Sequence, residues 1–275
     1  MRLQDDLPQE ELIGGRDLTS WPSRLGSRMS AAAVASTRLL GPRGVLAMTA
    51  LLGAVVATGL TVASAAIYDA VDEGEGVAGF DRPALETAIS LRTPFNTNVA
   101  TWFTQLGGPV GMTVLATCVV VALAIRWRSR TPLLLMVIGV AGSLAMTRAG
   151  KVVVGRARPP RIDAVPPFES SPSFPSGHTL NSTVIAGILA YLVLRRLTSH
   201  RARVAIVILA IIWSLSMGVS RVFLGHHWLT DVMVGWTLGL AWLAVIITAH
   251  RLFLTVRRRA ALAQGRPGGH TAYPR

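Results

Sequence analysis

The sequence predicts an all-α protein whose core is a bundle of six transmembrane helices. Three observations support this: the composition is 51% hydrophobic and only 15% charged, long apolar runs recur, and the connections between the runs alternate in charge. At 1.5 Å per residue, a run of about 17 residues begins to span the hydrocarbon layer. Six runs lack Asp, Glu, Lys and Arg: Val45–Tyr68, Pro109–Ile125, Thr131–Thr147, Thr179–Leu194, Val204–Ser220 and Val232–Ala249.

The positions of the first and last runs predict the domain boundaries. We expect a cytoplasmic, irregular leader over residues 1–43, a six-span membrane domain over 44–252 and a cytoplasmic tail over 253–275. The first run is longer than the apolar segment of a cleavable signal peptide, which favours a signal anchor. Before the second run, Pro83–Leu91 is predicted to form an amphipathic surface helix, and Gly107-Gly108-Pro109 is predicted to break the chain.

The charges of the connections predict the orientation in the membrane. The net charge of +13 is spread as arginines over alternate connections and both flanks, a distribution that argues against a nucleic-acid partner. The first connection is acidic, so the positive-inside rule places both termini in the cytoplasm. The third connection, residues 148–177, is basic on the predicted outer side and departs from that rule. Its six prolines indicate a stiff, irregular loop of the kind that often carries function.

The first of three polar blocks lies where the third run ends. Lys151, the only lysine among 27 basic residues, is followed by Arg158-Pro159. Positive charges at this depth are costly, so they are typical of functional sites or of side chains that snorkel to lipid headgroups. Snorkelling is the interpretation we give to the neighbouring arginines, which are Arg148, Arg156 and Arg161.

The second block, Pro175-Ser176-Gly177-His178, precedes the fourth run. Ser176 is suited to cap a helix, and Gly177 lets a ligand approach the backbone closely. The free N–H groups and the dipole at a helix N-terminus favour an anion. The alternative is an ordinary capped helix start, to which His178 contributes nothing.

The third block contains Arg221, His227 and Asp231. Residues four apart share a helix face, so the Asp231 carboxylate is expected to fix the tautomer of His227 and leave its other ring nitrogen free for attack. Arg221, returning across a turn at Gly225, offers a planar guanidinium that suits two phosphate oxygens. The alternative is a pair that only tethers two helices. His226 has no such partner by spacing and is predicted to be interfacial.

In their order and spacing, the three blocks resemble the type 2 phosphatidic acid phosphatase superfamily. The residues that carry the resemblance are Lys151, Arg158-Pro159, Pro175-Ser176-Gly177-His178, Ser220-Arg221, His227 and Asp231. The resemblance implies a phosphohistidine on the nucleophile His227, with Asp231 orienting it and His178 as general acid and base. It implies no cofactor and no metal, and the chain offers no carboxylate cluster for one. The implied phosphate-binding residues are Lys151, Arg158, Ser176, Gly177 and Arg221.

The expected function is therefore metal-independent dephosphorylation of a membrane lipid phosphate or diphosphate. Undecaprenyl diphosphate is the first choice of substrate, and phosphatidylglycerol phosphate, phosphatidic acid and prenyl-linked phosphates are the alternatives. We expect a multi-pass protein of a bacterial inner membrane with its active site on the outer face. A membrane transporter is the alternative from another class, although the charges cluster at one face and no internal repeat is visible.

Overall fold

The computed structural model describes residues 12–13, 16–17, 55, 59 and 76–263. Leu12–Ile13 (β1) pairs antiparallel with Arg16–Asp17 (β2), and every regular element within residues 76–263 is helical. The first predicted run, Val45–Tyr68, lies outside the described residues apart from two isolated positions. Most of the predicted leader and the end of the predicted tail also lie outside them.

Residues 76–263 contain seven α-helices and two short 3-10 helices, joined by loops. The 3-10 helices are Gly76–Phe80 and Arg161–Asp163. The α-helices are Asp81–Ser90 (α1), Pro94–Leu106 (α2), Pro109–Trp127 (α3), Thr131–Val154 (α4), Gly177–Leu194 (α5), His200–Phe223 (α6) and Leu229–Ala263 (α7).

Five of these helices, α3 to α7, are long and apolar enough to cross a membrane. They contain the last five of the six predicted runs, so the all-α class is confirmed and the described part accounts for five spans. Large apolar side chains on α3 and α6 are exposed, including Val110, Ile125 and Leu209. Exposed apolar surface of this extent is expected where a helix faces lipid tails.

Local sequence signals explain where the helices near the site begin and end. A capping box starts α2, because Thr93 accepts from the Asn96 N–H and the Asn96 side chain accepts from the Thr93 N–H. The predicted break is present: α2 ends at Leu106, two glycines follow, and α3 begins with Pro109 at its first position. The long loop between α4 and α5 holds the prolines that keep either helix from continuing.

Within residues 76–263, the structure divides into two compact units, one of residues 191–206 and 245–263, the other of residues 76–190 and 207–244. All three polar blocks lie in the second unit. Within it, glycines let helices approach closely: a Cβ on Gly235 of α7 would lie 2.9 Å from the Thr179 Cβ of α5. A Cβ on Gly150 of α4 would lie 2.5 Å from the Pro175 ring. These contacts hold the ends of α4, α5 and α7 together.

Candidate active site

The structure brings the three blocks to one place. Lys151 lies in the last turn of α4, His178 in the first turn of α5 and Asp231 in the first turn of α7. Direct contacts join the blocks: the Ser176 N–H donates to the Asp231 carbonyl over 3.1 Å, and Arg158 Nη1 lies 3.3 Å from His227 Nε2. The blocks, which are up to 80 positions apart in sequence, therefore form one cluster.

His227 and Asp231 form the buried pair that their spacing predicts. Their side chains are 1% and 0% exposed, and His227 Nδ1 lies 3.4 Å from Asp231 Oδ2. Nδ1 finds no hydrogen-bond partner among the described residues, so this contact is an approach rather than a formed hydrogen bond. Asp231 Oδ2 accepts from the Trp228 N–H over 2.9 Å, which holds the carboxylate beside the ring.

The other ring nitrogen of His227 faces a cation. A guanidinium only donates, so the contact with Arg158 makes Nε2 the acceptor and places the imidazole proton on Nδ1, toward Asp231. Burial, with the charges of Arg221 and Arg158, lowers the pKa of His227 well below its usual value. At neutral pH the ring is therefore uncharged and carries its lone pair on Nε2, as a nucleophile requires.

Protein acceptors hold each of the three predicted cations in place. Arg158 donates to the carbonyls of His226 and Ser171, over 2.6 and 2.7 Å. Arg221, almost completely buried, donates to Thr104 Oγ1 over 3.0 Å. Lys151 Nζ donates to Ser171 Oγ over 3.1 Å and to the Pro172 carbonyl. Donors fixed in this way are suited to hold the oxygens of an anion.

The second block lies at the start of α5, as expected, but the Ser176 N–H is already hydrogen-bonded within the protein. Since α5 begins at Gly177, Ser176 stands at the N-cap position, and Ser176 Oγ accepts from Thr179 Oγ1 over 2.9 Å. Because the Ser176 N–H is bonded to Asp231, this donor already has an acceptor within the protein. Among the backbone groups predicted to bind phosphate, the structure therefore favours Gly177 over Ser176. His178 extends toward Gly108, where a Cβ would lie 3.5 Å from its Nε2.

Glu169 is a site residue that sequence reasoning missed. Its carboxylate bridges the two arginines, with Oε2 2.6 Å from Arg158 Nη2 and Oε1 in contact with Arg221 Nη2. Burial alone would raise the pKa of Glu169, but the Arg221 and Arg158 charges outweigh burial and hold it at about 2. The carboxylate is therefore ionised and lies between the guanidinium groups that we expect to bind phosphate. One signal was available: Glu169 is the only acidic residue between Asp163 and Asp231.

Two predictions about single residues are wrong. Arg156 does not snorkel to headgroups: its side chain is 10% exposed and forms ion pairs of 2.7 Å with both Asp81 and Asp231. His226 is not interfacial but buried, with Nε2 2.6 Å from the Val165 carbonyl. Burial and the Arg221 charge lower the pKa of His226 to about 4. Both residues were assigned by local context, whereas distant partners determine where they lie.

Comparison with known proteins identifies the family and the fold. Residues 131–254 match the sequence profile of the PAP2 superfamily. The chain is 31% identical over 167 residues to phosphatidylglycerophosphatase B of Bacillus subtilis (strain 168), an alignment that covers 60% of this chain and 80% of the relative. The crystal structure of a transmembrane PAP2 type phosphatidylglycerolphosphate phosphatase from Bacillus subtilis aligns with a TM-score of 0.58 at 25% identity, covering 74% of this chain and 96% of that one. Aquifex aeolicus LpxE shares the fold, with a TM-score of 0.50, 19% identity and coverage of 62% and 95%.

Glu169→Gln is expected to strengthen the binding of vanadate, an anion that resembles a phosphoryl group in transfer. The glutamine keeps the shape of the side chain but removes the charge that competes for Arg158 and Arg221. We expect the vanadate dissociation constant to fall roughly tenfold, the scale of one charge-assisted hydrogen bond. Because the pKa of Glu169 is about 2, the effect is expected to be constant between pH 5 and 8.

Isothermal titration of the full-length protein in detergent measures this binding. Glu86→Gln is the matched control, since Glu86 is an exposed carboxylate paired with Arg82 on α1. Weaker vanadate binding in Glu169→Gln than in Glu86→Gln would show that the carboxylate supports the anion site instead of competing for it.

Proposed function

The chain belongs to the PAP2 superfamily, and on that premise we propose that it releases the terminal phosphate of phosphatidylglycerol phosphate through a phosphohistidine on His227. The protein is an integral membrane lipid phosphatase and a phosphoric monoester hydrolase. The observation that supports the role of His227 is its geometry. Its ring is buried and neutral, with Nδ1 toward a carboxylate and Nε2 toward a guanidinium.

The proposed reaction has two displacements at phosphorus. In the first, His227 Nε2 forms a bond to phosphorus while the bond to the glycerol oxygen breaks, and that oxygen takes a proton from His178. In the second, His178 accepts a proton from water, the water oxygen attacks phosphorus, and the bond to Nε2 breaks to release inorganic phosphate. Asp231 stabilises the positive charge that the imidazole acquires while it carries the phosphoryl group.

Three cations are suited to stabilise the transferring group. Its charge is spread over three equatorial oxygens, and fixed donors aimed at those oxygens lower the barrier. Lys151, Arg158 and Arg221 supply such donors, and Glu169 already demonstrates that a carboxylate fits between the two arginines. Substrate binding therefore requires that Glu169 give up these contacts. The loop that carries Glu169, between α4 and α5, is the segment that has to adjust.

The choice of substrate rests on the relatives. A protein named phosphatidylglycerophosphatase B shares 31% identity with this chain, which favours a phosphate monoester of a glycerolipid. Undecaprenyl diphosphate, the first choice from the sequence, stays a prediction to be tested beside it. The two substrates differ in the group that leaves: an alkoxide needs a proton from His178, whereas a phosphate monoester leaves more easily without one.

The first test is phosphate release by the purified protein from phosphatidylglycerol phosphate and undecaprenyl diphosphate in mixed micelles. We expect the glycerolipid to have the higher kcat/KM, because of the relationship to phosphatidylglycerophosphatase B. We also expect the rate to be unchanged by EDTA, since the cations of the site replace a metal. A higher kcat/KM for undecaprenyl diphosphate would reverse the substrate assignment, and a rate lost to EDTA and restored by magnesium would contradict the mechanism.

The second test concerns the roles of the histidines and Asp231. His227→Ala should abolish turnover and phosphoenzyme formation. His178→Ala should lower the rate of hydrolysis of the glycerolipid more than that of the diphosphate. Asp231→Asn should lower kcat by about 100-fold or more, because it mis-sets the tautomer of His227. Rapid acid quenching with labelled substrate measures the phosphoenzyme. Turnover by His227→Ala at the wild-type rate would refute the nucleophile assignment.

The third test concerns the face of the membrane. The site lies at the ends of connections that the arginine pattern predicts to be outside, so we expect it to face away from the cytoplasm. Single cysteines are introduced at Ser170 and Ser199 in a Cys118→Ala background. Both positions are exposed, and their connections are predicted to lie on opposite faces of the membrane. In intact cells an impermeant maleimide should label the cysteine at 170 and not the one at 199. The reverse pattern would place the site in the cytoplasm.

A further inference from the structure

Asp81, the first residue of α1, is buried although it is a carboxylate. Its side chain is 7% exposed. Oδ1 accepts from the Thr230 N–H over 2.8 Å, and Oδ2 accepts from the Thr230 hydroxyl over 2.7 Å. A buried charge needs a partner of opposite sign, and Asp81 has one in Arg156, whose Nη2 donates to Oδ2 over 2.7 Å. Asp81 is thus held against the residue that precedes Asp231.

The guanidinium of Arg156 joins Asp81 to the proposed active site. Its Nη1 donates to Asp231 Oδ1 and to the Thr230 hydroxyl, both over 2.7 Å. The guanidinium also lies over the Trp228 ring, 5.6 Å from the ring centroid. A planar group with fixed donors can hold two carboxylates at once, which an ammonium group cannot do with the same geometry.

We propose that Arg156 and Asp81 are positioning residues for the phosphoryl transfer. Arg156 holds Oδ1 of Asp231 so that Oδ2 faces His227 Nδ1. Asp81 offsets the charge of Arg156, so that Asp231 keeps its negative charge available to the imidazole. This inference rests on the proposed function, in which Asp231 orients His227.

The charges explain why two residues are needed. Arg156 alone would neutralise Asp231 and weaken its interaction with His227, since buried charges are little screened by water. With Asp81 present, the three groups carry a net charge of one negative unit. The same charge stabilises the imidazole when it becomes positive during transfer. Removing Arg156 and removing Asp81 are therefore expected to act on His227 with opposite sign.

Several other charges act on His227 and stay in place in these variants. They come from four segments: the end of α4, the loop between α4 and α5, the start of α5 and the end of α6. These groups are Lys151, Arg158, Glu169, His178 and Arg221. His226 adjoins His227 in the chain, but its ring is bonded to Val165. The comparison between variants isolates the contribution of Arg156 and Asp81 from this background.

The hydrogen bonds that fix the loop do not depend on the charges of the Arg156 and Asp81 side chains. The backbone of residue 156 also fixes the loop, because its carbonyl accepts from the Ser173 N–H over 2.9 Å and from Ser173 Oγ over 3.2 Å. Substitution of the Arg156 side chain leaves those hydrogen bonds available. Asp81→Asn likewise keeps an oxygen that can accept from the Thr230 N–H. Changes at His227 in these variants therefore report the side-chain charges.

The experiment measures the ionisation of His227 directly. The full-length protein, labelled with ¹⁵N-histidine, is titrated by NMR in detergent micelles, and the His227 signals are identified by their loss in His227→Gln. Wild type is compared with Arg156→Gln, Arg156→Lys and Asp81→Asn. Arg148→Gln is the matched control, an exposed arginine of α4 outside the proposed site. Phosphate release from phosphatidylglycerol phosphate is measured on the same samples.

Arg156→Gln should raise the ionisation midpoint of His227 by about one pH unit, the usual effect of removing a nearby like charge. Asp81→Asn should lower the midpoint, or take it below the titrated range. The midpoint in Arg156→Lys should lie between those of wild type and Arg156→Gln. Both Arg156→Gln and Asp81→Asn should lower kcat about tenfold or more, with KM changed much less.

The inference is overturned if Arg156→Gln and Asp81→Asn shift the midpoint in the same direction, or if Arg156→Gln behaves as Arg148→Gln does. If Arg156→Gln does not fold, the sign of the shift in Asp81→Asn decides, because an upward shift contradicts the proposal. The NMR readout needs no turnover. A wild-type protein that fails to release phosphate from this lipid would count against the proposed substrate and leave the positioning result intact.

Discussion

The buried negative charge of Asp231 is the constraint on which the proposed active site depends. A carboxylate with no exposed surface is costly unless it is paired and hydrogen-bonded. Asp231 meets this requirement through Arg156 in the loop after α4 and through the Trp228 N–H just before α7. Its backbone carbonyl also accepts from Ser176 at the start of α5. The interactions that make this charge tolerable therefore assemble three separate segments of the chain around His227.

Close helix packing supports that arrangement. Between membrane helices, association depends on close contact and hydrogen bonds rather than on the hydrophobic effect, and small residues permit the closest approach. Gly235 allows α7 to touch the first turn of α5 beside Ser176, and Gly218 receives the Trp236 ring, with a Cβ distance of 2.4 Å. A larger side chain at either position would move Asp231 or Arg221 relative to His227. Since attack needs near-contact geometry, such a movement is expected to lower the rate.

The sequence predicted those parts of the structure that depend on local patterns. Apolar runs and helix-capping residues act over a few positions, so α3 to α7 and the break at Gly107-Gly108 were predictable. The convergence of the three blocks followed from their resemblance to a known arrangement.

The sequence did not reveal Arg156, Asp81 or Glu169, because the partners of each lie far away in the chain. Charge counting placed Asp81 in the acidic outer connection and Arg156 among basic residues at the membrane surface. In the structure, 75 positions separate Arg156 from each of the two carboxylates that it bridges. A prediction based on neighbouring residues cannot detect such a contact.

The cations of the site serve two purposes that have to be balanced. Lys151, Arg158 and Arg221 favour a phosphate dianion. Burial and the charges of the same groups lower the pKa of His227 and keep it unprotonated and nucleophilic. Without an anion present, three positive charges close together would repel one another. Glu169 supplies one negative charge in the resting state, which leaves the cluster with a net excess of two positive charges. A phosphate dianion that displaces Glu169 matches the three cations more closely than the carboxylate does, so the charge balance itself favours the exchange of carboxylate for substrate.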